Sequence, residues 1–377
     1  MNFDIDPEIE ALTEAVRRFA DEVLKPGARE IDAGGVFVSP YLPALAELGV
    51  MGMNLPEAWG GPGVSPVALY LAVETLAAAC ASTTSAVTAH YLATDAILIG
   101  GNDELRSRYL PDAAAGRKLG AFALTEPSAG SNPTDMRTTA RRERDGYRIG
   151  GVKHFISNAA HADFIVVFAK TDPAQGARGI SAFVVDRQGG GVVAGPPEKT
   201  MGLKGGHVFE VALDCWVPEA NRIGAEGSGF RTAMHTLDNG RVEVAAMCTG
   251  MAGEALSLAL DWSKSRKVDN HPIADFQGLQ WMLADMATEL EAARLMGLRA
   301  AALREKGVRF SKEASMAKLF ASERAYGIID KALQIHGGYG YSQALPLERM
   351  VRDARIMRIY EGSSEIQRNI IARMLLA

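Results

Sequence analysis

The sequence predicts an α+β chain in three parts. A helical N-terminal domain occupies residues 1–117, a middle β-barrel or sandwich domain residues 118–225, and a C-terminal four-helix bundle residues 226–377. Three observations point there. At 377 residues the chain exceeds the size of a single hydrophobic core. Apolar residues recur at spacings of three and four on both sides of a middle stretch that lacks this period. Within that stretch, short Val-, Ile- and Phe-rich runs alternate with Gly, Pro and Asp turns.

Taken in order, Ile9, Leu12, Val16, Phe19 and Val23 form the apolar stripe of a first helix. A second helical run covers Ser39 to Leu48, followed by the Gly/Pro-rich loop Leu55 to Val64. Val67–Ala81 and Ser85–Ile99 are Ala-rich and apolar almost all round, which predicts buried helices. Between them lies the hydroxyl cluster Ala81-Ser-Thr-Thr-Ser85, suited to capping a helix or lining a pocket. From about Gly120 the texture changes to predicted strands at Ala121–Thr125, Tyr147–Ile149, Phe155–Ser157, Phe164–Phe168, Ala182–Val185, Val192–Val193 and Val208–Leu213. After Val217-Pro-Glu-Ala, Gly229–Leu260, Gln277–Ala302 and Lys312–Ile335 are long periodic segments, and a C-terminal helix completes the set. In the second of these, Leu279, Met282, Leu283, Met286, Leu290 and Ala293 form a core-facing stripe.

Composition narrows the function. A net charge of −5 and the lack of a basic run interleaved with aromatics give no footprint for nucleic acid. No uninterrupted apolar run reaches the roughly 18–20 residues of a membrane span. The acidic start, Met-Asn-Phe-Asp-Ile-Asp-Pro-Glu, lacks the layout of a secretory or organellar leader. Cys80, Cys215 and Cys248 have neither metal-ligand nor CxxC spacing, which suits buried thiols in a reducing compartment. A cytoplasmic protein without membrane insertion or a metal site is the expectation.

Three stretches carry chemistry. Ala121-Phe-Ala-Leu-Thr-Glu-Pro-Ser-Ala-Gly-Ser-Asn132 is a strand entering a Pro/Gly turn. Phe122 and Leu124 share one face there, and hydroxyls and free N–H groups gather at the tip, an arrangement that a flat heteroaromatic ring needs. Gln334-Ile-His-Gly-Gly-Tyr-Gly-Tyr341 ends a helix with Gly337 as C-cap and more glycine than capping requires. His336 reads as a packed or capping residue. Nothing matches GxGxxG after a strand, so a Rossmann site is unsupported. Finally, Ile359-Tyr-Glu-Gly-Ser-Ser-Glu-Ile-Gln-Arg368 places Glu361 on a tight turn before a helix. Ser364 with Gln367 matches a capping box for that helix, and Ile366, Ile370, Ile371 and Met374 form its inner face. A carboxylate so placed is suited to act as a firmly held general base.

Leu124–Ser131, Gln334–Gly340 and Ile359–Arg368 resemble the signatures of the acyl-CoA dehydrogenase family, in the same order and with the same α–β–α texture over nearly the whole chain. The resemblance implies FAD between the β domain and the bundle, at a subunit interface of a homotetramer. It also implies electron delivery to an electron-transfer flavoprotein. Position by position, Phe122, Leu124, Thr125, Gly130, Ser131, Phe155 and Ser157 would contact the flavin. Arg266 and Gln277 would hold the pyrophosphate and adenosine part, together with Gln334, Gly337 and Gly338 from a neighbouring subunit. Ser363 and Glu365 would touch the cofactor from the last turn. Asp238 and Arg241 would meet the CoA arm, with Ser131, Tyr360 and Gly362 as further substrate contacts.

Glu361 corresponds to the family's base, which takes the α-proton of an acyl-CoA while the β-hydride passes to flavin N5. Some members carry the base on the bundle helix instead, where this chain has Gly240 and no side chain to accept a proton. Phe155 stands where tryptophan is usual, Asn132 where aspartate is, and Asp269-Asn270 where Phe-Gly is common. Asp214–Gly224, Asn239–Arg241, Leu283–Thr288 and Cys80–Thr84 are most similar to the isobutyryl-CoA branch, implying a short or branched acyl group. Two other readings compete. One is a flavin-poor partner subunit, motivated by Asp269 and sunk by a yellow purified protein. The other is an oxygen-using oxidase, which would release peroxide on turnover.

Overall fold

The computed structural model describes residues 7–377, so the acidic start over residues 1–6 lies outside the described residues. Helix α1 (Pro7–Phe19) continues through a π-helical turn, Ala20–Leu24, into α2 (Lys25–Gly34). The π turn inserts one extra residue and slips the helical phase. Val16, Ala20, Leu24, Ala28 and Ile31 therefore face the core, while Val23, predicted to lie on the buried stripe, is 40% exposed. Helix α3 (Leu42–Glu47) follows a 3₁₀ turn.

Helix α4 (Pro66–Ala79) starts at Ser65, whose hydroxyl accepts from the Ala68 N–H at 3.1 Å. Helix α5 (Ala81–Gly100) follows after the single extended residue Cys80. The hydroxyl cluster Ser82–Ser85 thus forms the first turn of α5 rather than a link between helices. Both helices are buried nearly all round, as their composition predicts. Helix α6 (Asp103–Ala114), capped by Asn102, leads into the sheet.

The strands are β1 (Gly120–Ala123), β2 (Thr139–Glu143), β3 (Gly146–Ser157), β4 (Phe164–Lys170), β5 (Ile180–Asp186), β6 (Val192–Ala194), β7 (Val208–Pro218) and β8 (Arg222–Ile223). They run in the order β6-β7-β3-β2-β4-β5-β8, with β1 parallel to β4. The sheet turns a corner where β2 touches β4 through the single pair Thr139–Lys170. Two layers then face each other. Tyr147, Ile149, Phe209, Val211 and Leu213 of one layer pack on Ala121, Ala123, Ile165, Val167 and Phe183 of the other. Strands β4 and β5 are buried on both faces, because their outer side meets α5 and α6 through Phe164, Val166, Phe168 and Ala182. Strand β7 has one wet face and alternates strictly.

Helices α7 (Gly229–Ser265), α8 (Gln277–Glu305), α9 (Ser311–His336) and α11 (Ser364–Leu376) form the C-terminal set, with a short α10 (Leu347–Ala354) as well. Helices α7 and α8 pack on α4, α9 packs on α7 and α8, and one hydrophobic core runs through the N-terminal and C-terminal helices alike. Helix α7 is the one described helix long and apolar enough to cross a membrane. Since 78% of its most apolar window is buried within the protein, it sits as a core helix does. Between α7 and α8, Asp269 and Asn270 take left-handed conformations at the tip of a hairpin joining β9 (Lys267–Val268) to β10 (His271–Pro272). Asp and Asn tolerate that geometry, which explains the departure from Phe-Gly locally. The tip is exposed, so the Asp269 charge is in solvent in this chain.

Candidate active site

After α10 a 3₁₀ turn, Arg355–Arg358, brings the chain to Glu361 at φ +52° and Gly362 at φ +95°. A non-glycine residue in the left-handed region is uncommon and marks an over-determined position. The determinants are side chains from three helices. Gln367 of α11 donates to the carbonyls of Glu361 (3.1 Å) and Gly362 (2.9 Å). Lys318 of α9 donates to the Gly362 carbonyl at 2.8 Å, and Arg241 of α7 reaches the Glu361 carbonyl at 3.5 Å. The predicted capping box is therefore corrected. Ser363, not Ser364, caps α11, its hydroxyl accepting from the Ile366 N–H at 3.5 Å. Ser364 instead donates to Glu323 at 2.6 Å, and Gln367 is consumed by the turn's carbonyls. The inner face of α11 differs too: Ser364 and Gln367 are its buried residues, whereas Ile366, Ile370, Ile371 and Met374 are half-buried.

The Glu361 carboxyl is enclosed, and its Oε2 has no hydrogen-bond partner. Burial penalises the charged form more than the Lys318 and Arg241 charges favour it, which pushes its pKa up to about 7. Such a group is half ionised near neutral pH, the condition for an effective general base. Room for it comes from Gly240: a Cβ there would lie 2.2 Å from Glu361 Oε2 and 2.8 Å from Leu92 Cδ2. Glycine at 240 thus does more than lack a side chain that could accept a proton; it makes space for the Glu361 carboxyl.

Glu361 opens on a cavity of about 630 Å³ bounded by the β domain, α5, α7 and α11. Phe122, Leu124, Thr125, Gly130, Ser131, Phe155, Ser157, Arg241, Tyr360 and Gly362, all predicted site residues, line it. Ser85, from the hydroxyl cluster, lines it as well, beside Thr88, Ala89 and Leu92. The residues present fit a flavin ring. Phe155, in a left-handed conformation at an irregularity in β3, is 59% exposed to this space. A Cβ on Gly130 would meet nothing within 4 Å, so the hydroxyl-bearing turn approaches open volume.

Other predicted residues lie elsewhere in the chain. Asp238 does not line the cavity; its carboxylate holds Arg241 at 2.6 Å and accepts from Ser311. Ser363 and Glu365 also lie off the cavity wall. Arg266, Gly337 and Gly338 line a second cleft of about 550 Å³, with Trp262 and His336 stacked 4.9 Å apart. Gln277 and Gln334 are exposed and line neither. Gly337 is the C-cap of α9, and His336 caps as expected, its Nδ1 2.8 Å from the Ala332 carbonyl.

Sequence reasoning missed two features. Lys318 is fully buried on the stripe Ala314, Ala317, Ala321 and Ala325; a lysine interrupting that apolar period was the available signal. Glu126, central to the Thr-Glu-Pro turn, accepts from the N–H groups of Arg137 (2.6 Å) and Thr138 (3.0 Å) and from Lys153 (2.9 Å). Lys153 also donates to the Leu124 carbonyl at 3.1 Å, so this buried pair pins the turn beside the cavity.

Comparisons with known proteins agree along the whole chain. Residues 6–117 match the profile "Acyl-CoA dehydrogenase, N-terminal domain", 121–215 the middle domain and 227–376 the C-terminal domain. The chain is 42% identical to acryloyl-CoA reductase (NADH) of Anaerotignum propionicum, covering 100% of this chain and 96% of that one. It is also 42% identical to the caffeyl-CoA reductase-Etf complex subunit CarC of Acetobacterium woodii, covering 92% of each. The solved structure of butyryl-CoA dehydrogenase from Megasphaera elsdenii superposes with a TM-score of 0.98 at 36% identity, covering 100% of both chains. This chain is an oxidoreductase that belongs to the acyl-CoA dehydrogenase family.

Proposed function

We propose that the protein catalyses FAD-dependent α,β-dehydrogenation of a short or branched acyl-CoA to the trans-2-enoyl-CoA. The observation that carries this reading is the Glu361 carboxyl, enclosed, unpartnered and raised to about 7 at the wall of a cavity that fits a flavin. FAD, when bound, would supply the two-electron acceptor for the β-hydride. Glu361 takes the α-proton, and its unpartnered Oε2 needs no bond broken to do so. Its backbone N–H would polarise the thioester carbonyl, stabilising the charge that develops there. The apolar wall of Phe122, Leu124, Leu92 and Leu237 excludes water and orients the chain.

Arg266 and Gln277, together with Gln334, Gly337 and Gly338 from a neighbouring subunit in a homotetramer, would complete the cofactor site. Exposed Phe276 and Trp281, 49% and 62% accessible, support burial of that surface against another copy. An electron-transfer flavoprotein would receive the electrons; the relative that forms a reductase-Etf complex supports this partner. A cytoplasmic site of action accords with three buried free thiols.

The relatives named as reductases favour a second reading, in which Glu361 delivers the proton to the α-carbon of an enoyl-CoA. Microscopic reversibility places the same residue in both. Anaerobic mixing of the purified protein with straight-chain and branched acyl-CoAs tests the proposal. Rapid bleaching of the flavin by a C4 or C5 acyl-CoA is expected. A flavin that no acyl-CoA bleaches, but whose reduced form is reoxidised by an enoyl-CoA, would select the reductase.

A further inference from the structure

Lys318 has no part in the family signatures quoted above, yet it is one of two fully buried lysines among the described residues. The other, Lys153, is neutralised by direct contact with Glu126. Among the described residues Lys318 makes no carboxylate contact within salt-bridge distance; it donates to the Gly362 carbonyl at 2.8 Å, one residue after the proposed base. A buried ammonium costs desolvation, here enough to lower its own pKa to about 8. A cation kept at that cost needs a compensating anion, and the carboxyl its field reaches at the cavity is Glu361.

Around Glu361 stand Lys318 on α9, Arg241 and Glu243 on α7, and Tyr360 beside it. Around Lys318 stand Glu361, Arg241, Cys248 and Glu323. Each rival is engaged elsewhere. Arg241 is held by Asp238 at 2.6 Å, and Glu323 by Arg358 at 2.8 Å and Ser364 at 2.6 Å. Glu243 faces Arg304, and Cys248 is a buried thiol held well above its ordinary range. Lys318 is left as the uncommitted positive charge at the turn.

Resting on the reading of Glu361 as the base, we infer that Lys318 is a positioning residue for the reaction: it locks the 361–362 turn through the Gly362 carbonyl and sets the pH at which the Glu361 carboxyl gives up its proton. It touches neither substrate nor reacting atoms. With the cation removed, burial acts on Glu361 with less opposition, so the carboxyl keeps its proton to higher pH. An upward move of about one unit is the scale expected for losing an adjacent opposite charge. At pH 7 the ionised fraction then falls from about one half to about one tenth, roughly a fivefold loss in kcat that alkaline pH restores.

The test titrates the Glu361 carboxyl directly, as the infrared difference between the holoenzyme and its Glu361→Gln variant, in backgrounds carrying Lys318, Lys318→Met, Lys318→Gln or Lys318→Arg. The kcat–pH profile is recorded in parallel. Upward shifts with Met and Gln, and a titration restored toward the parent by Arg, support the inference. Gln can still donate to the Gly362 carbonyl, so it separates charge from the hydrogen bond and provides a second variant should Met not fold. An unmoved titration, with kcat lowered equally at every pH, overturns it and leaves Lys318 a scaffold residue. If the carboxyl titration moves while the kcat profile does not, the Lys318 coupling stands and Glu361 is not the base.

Discussion

Glu126 and Glu361 are both glutamates in interior turns at the rim of the same cavity, and the chain treats them in opposite ways. Glu126 is saturated: two backbone N–H groups and Lys153 satisfy its oxygens. Burial alone would raise its pKa, but Lys153 and these donors outweigh burial and hold it below the usual carboxylate range. Glu361 is starved: Oε2 has no partner, the nearby donors go to backbone carbonyls, and burial carries the pKa up to about 7. A satisfied carboxylate fixes structure, whereas an unsatisfied one at a cavity wall retains the capacity to take a proton. The donors around each residue therefore separate structure from chemistry where residue type and burial do not.

The contrast can be broken at either end. The largest effect belongs to Glu361→Gln, which should lower turnover by about 10²–10⁴-fold, the usual contribution of a general base, with the fold and flavin content retained. Gly240→Ala comes next. Its Cβ must displace the carboxyl it would approach to 2.2 Å, and a shift of this kind costs on the order of 10²-fold in kcat. Thermal melts should show a loss of about 1–3 kcal/mol for the overpacking. Glu126→Gln strands Lys153 and should destabilise the protein by about 3–5 kcal/mol. Weaker flavin retention on gel filtration should accompany it, while the pH profile of the retained holoenzyme stays put.

The smallest effect sharpens the comparison by sign. Glu126, depressed on folding, contributes stability that is present above the ordinary carboxylate pKa and is lost as pH falls through its lower folded value. Glu361, raised on folding, binds its proton more tightly in the native state, so its contribution is full below about 4.5 and disappears as pH rises through about 7. Glu361→Gln should therefore melt higher than the parent at pH 8–9 and the same at pH 4–5. Equal melting differences at both ends of the range would contradict the raised value.

Much of this was legible before the structure. The all-apolar runs of α4 and α5, the strict alternation of β7 and the three motifs each announce themselves by period or composition. Strand β2 did not, because Thr-Ala-Arg-Arg-Glu has one buried residue in five and shows no alternation to read. The phase slip after Phe19 was invisible because a π turn changes which residues face inward without changing which residues are apolar. At the site, Glu361 and the cavity-lining Phe122, Leu124, Gly130 and Ser131 came from local motifs, and Phe155 from the family resemblance. Gln367, Lys318 and Lys153 did not, since each acts on a carbonyl or carboxylate that tertiary folding alone brings near. Arg266, Gly337 and Gly338 likewise come from two separate segments of the chain and share a cleft only once the helices have folded together.

The central claim is that Glu361 takes the α-proton of a bound acyl-CoA. The most direct test mixes the parent enzyme and Glu361→Gln anaerobically with butyryl-CoA and follows the visible flavin band. The account predicts full bleaching in the parent, and in the variant substrate binding with bleaching slower by at least 10²-fold. Bleaching of the variant at the parent's rate would contradict it.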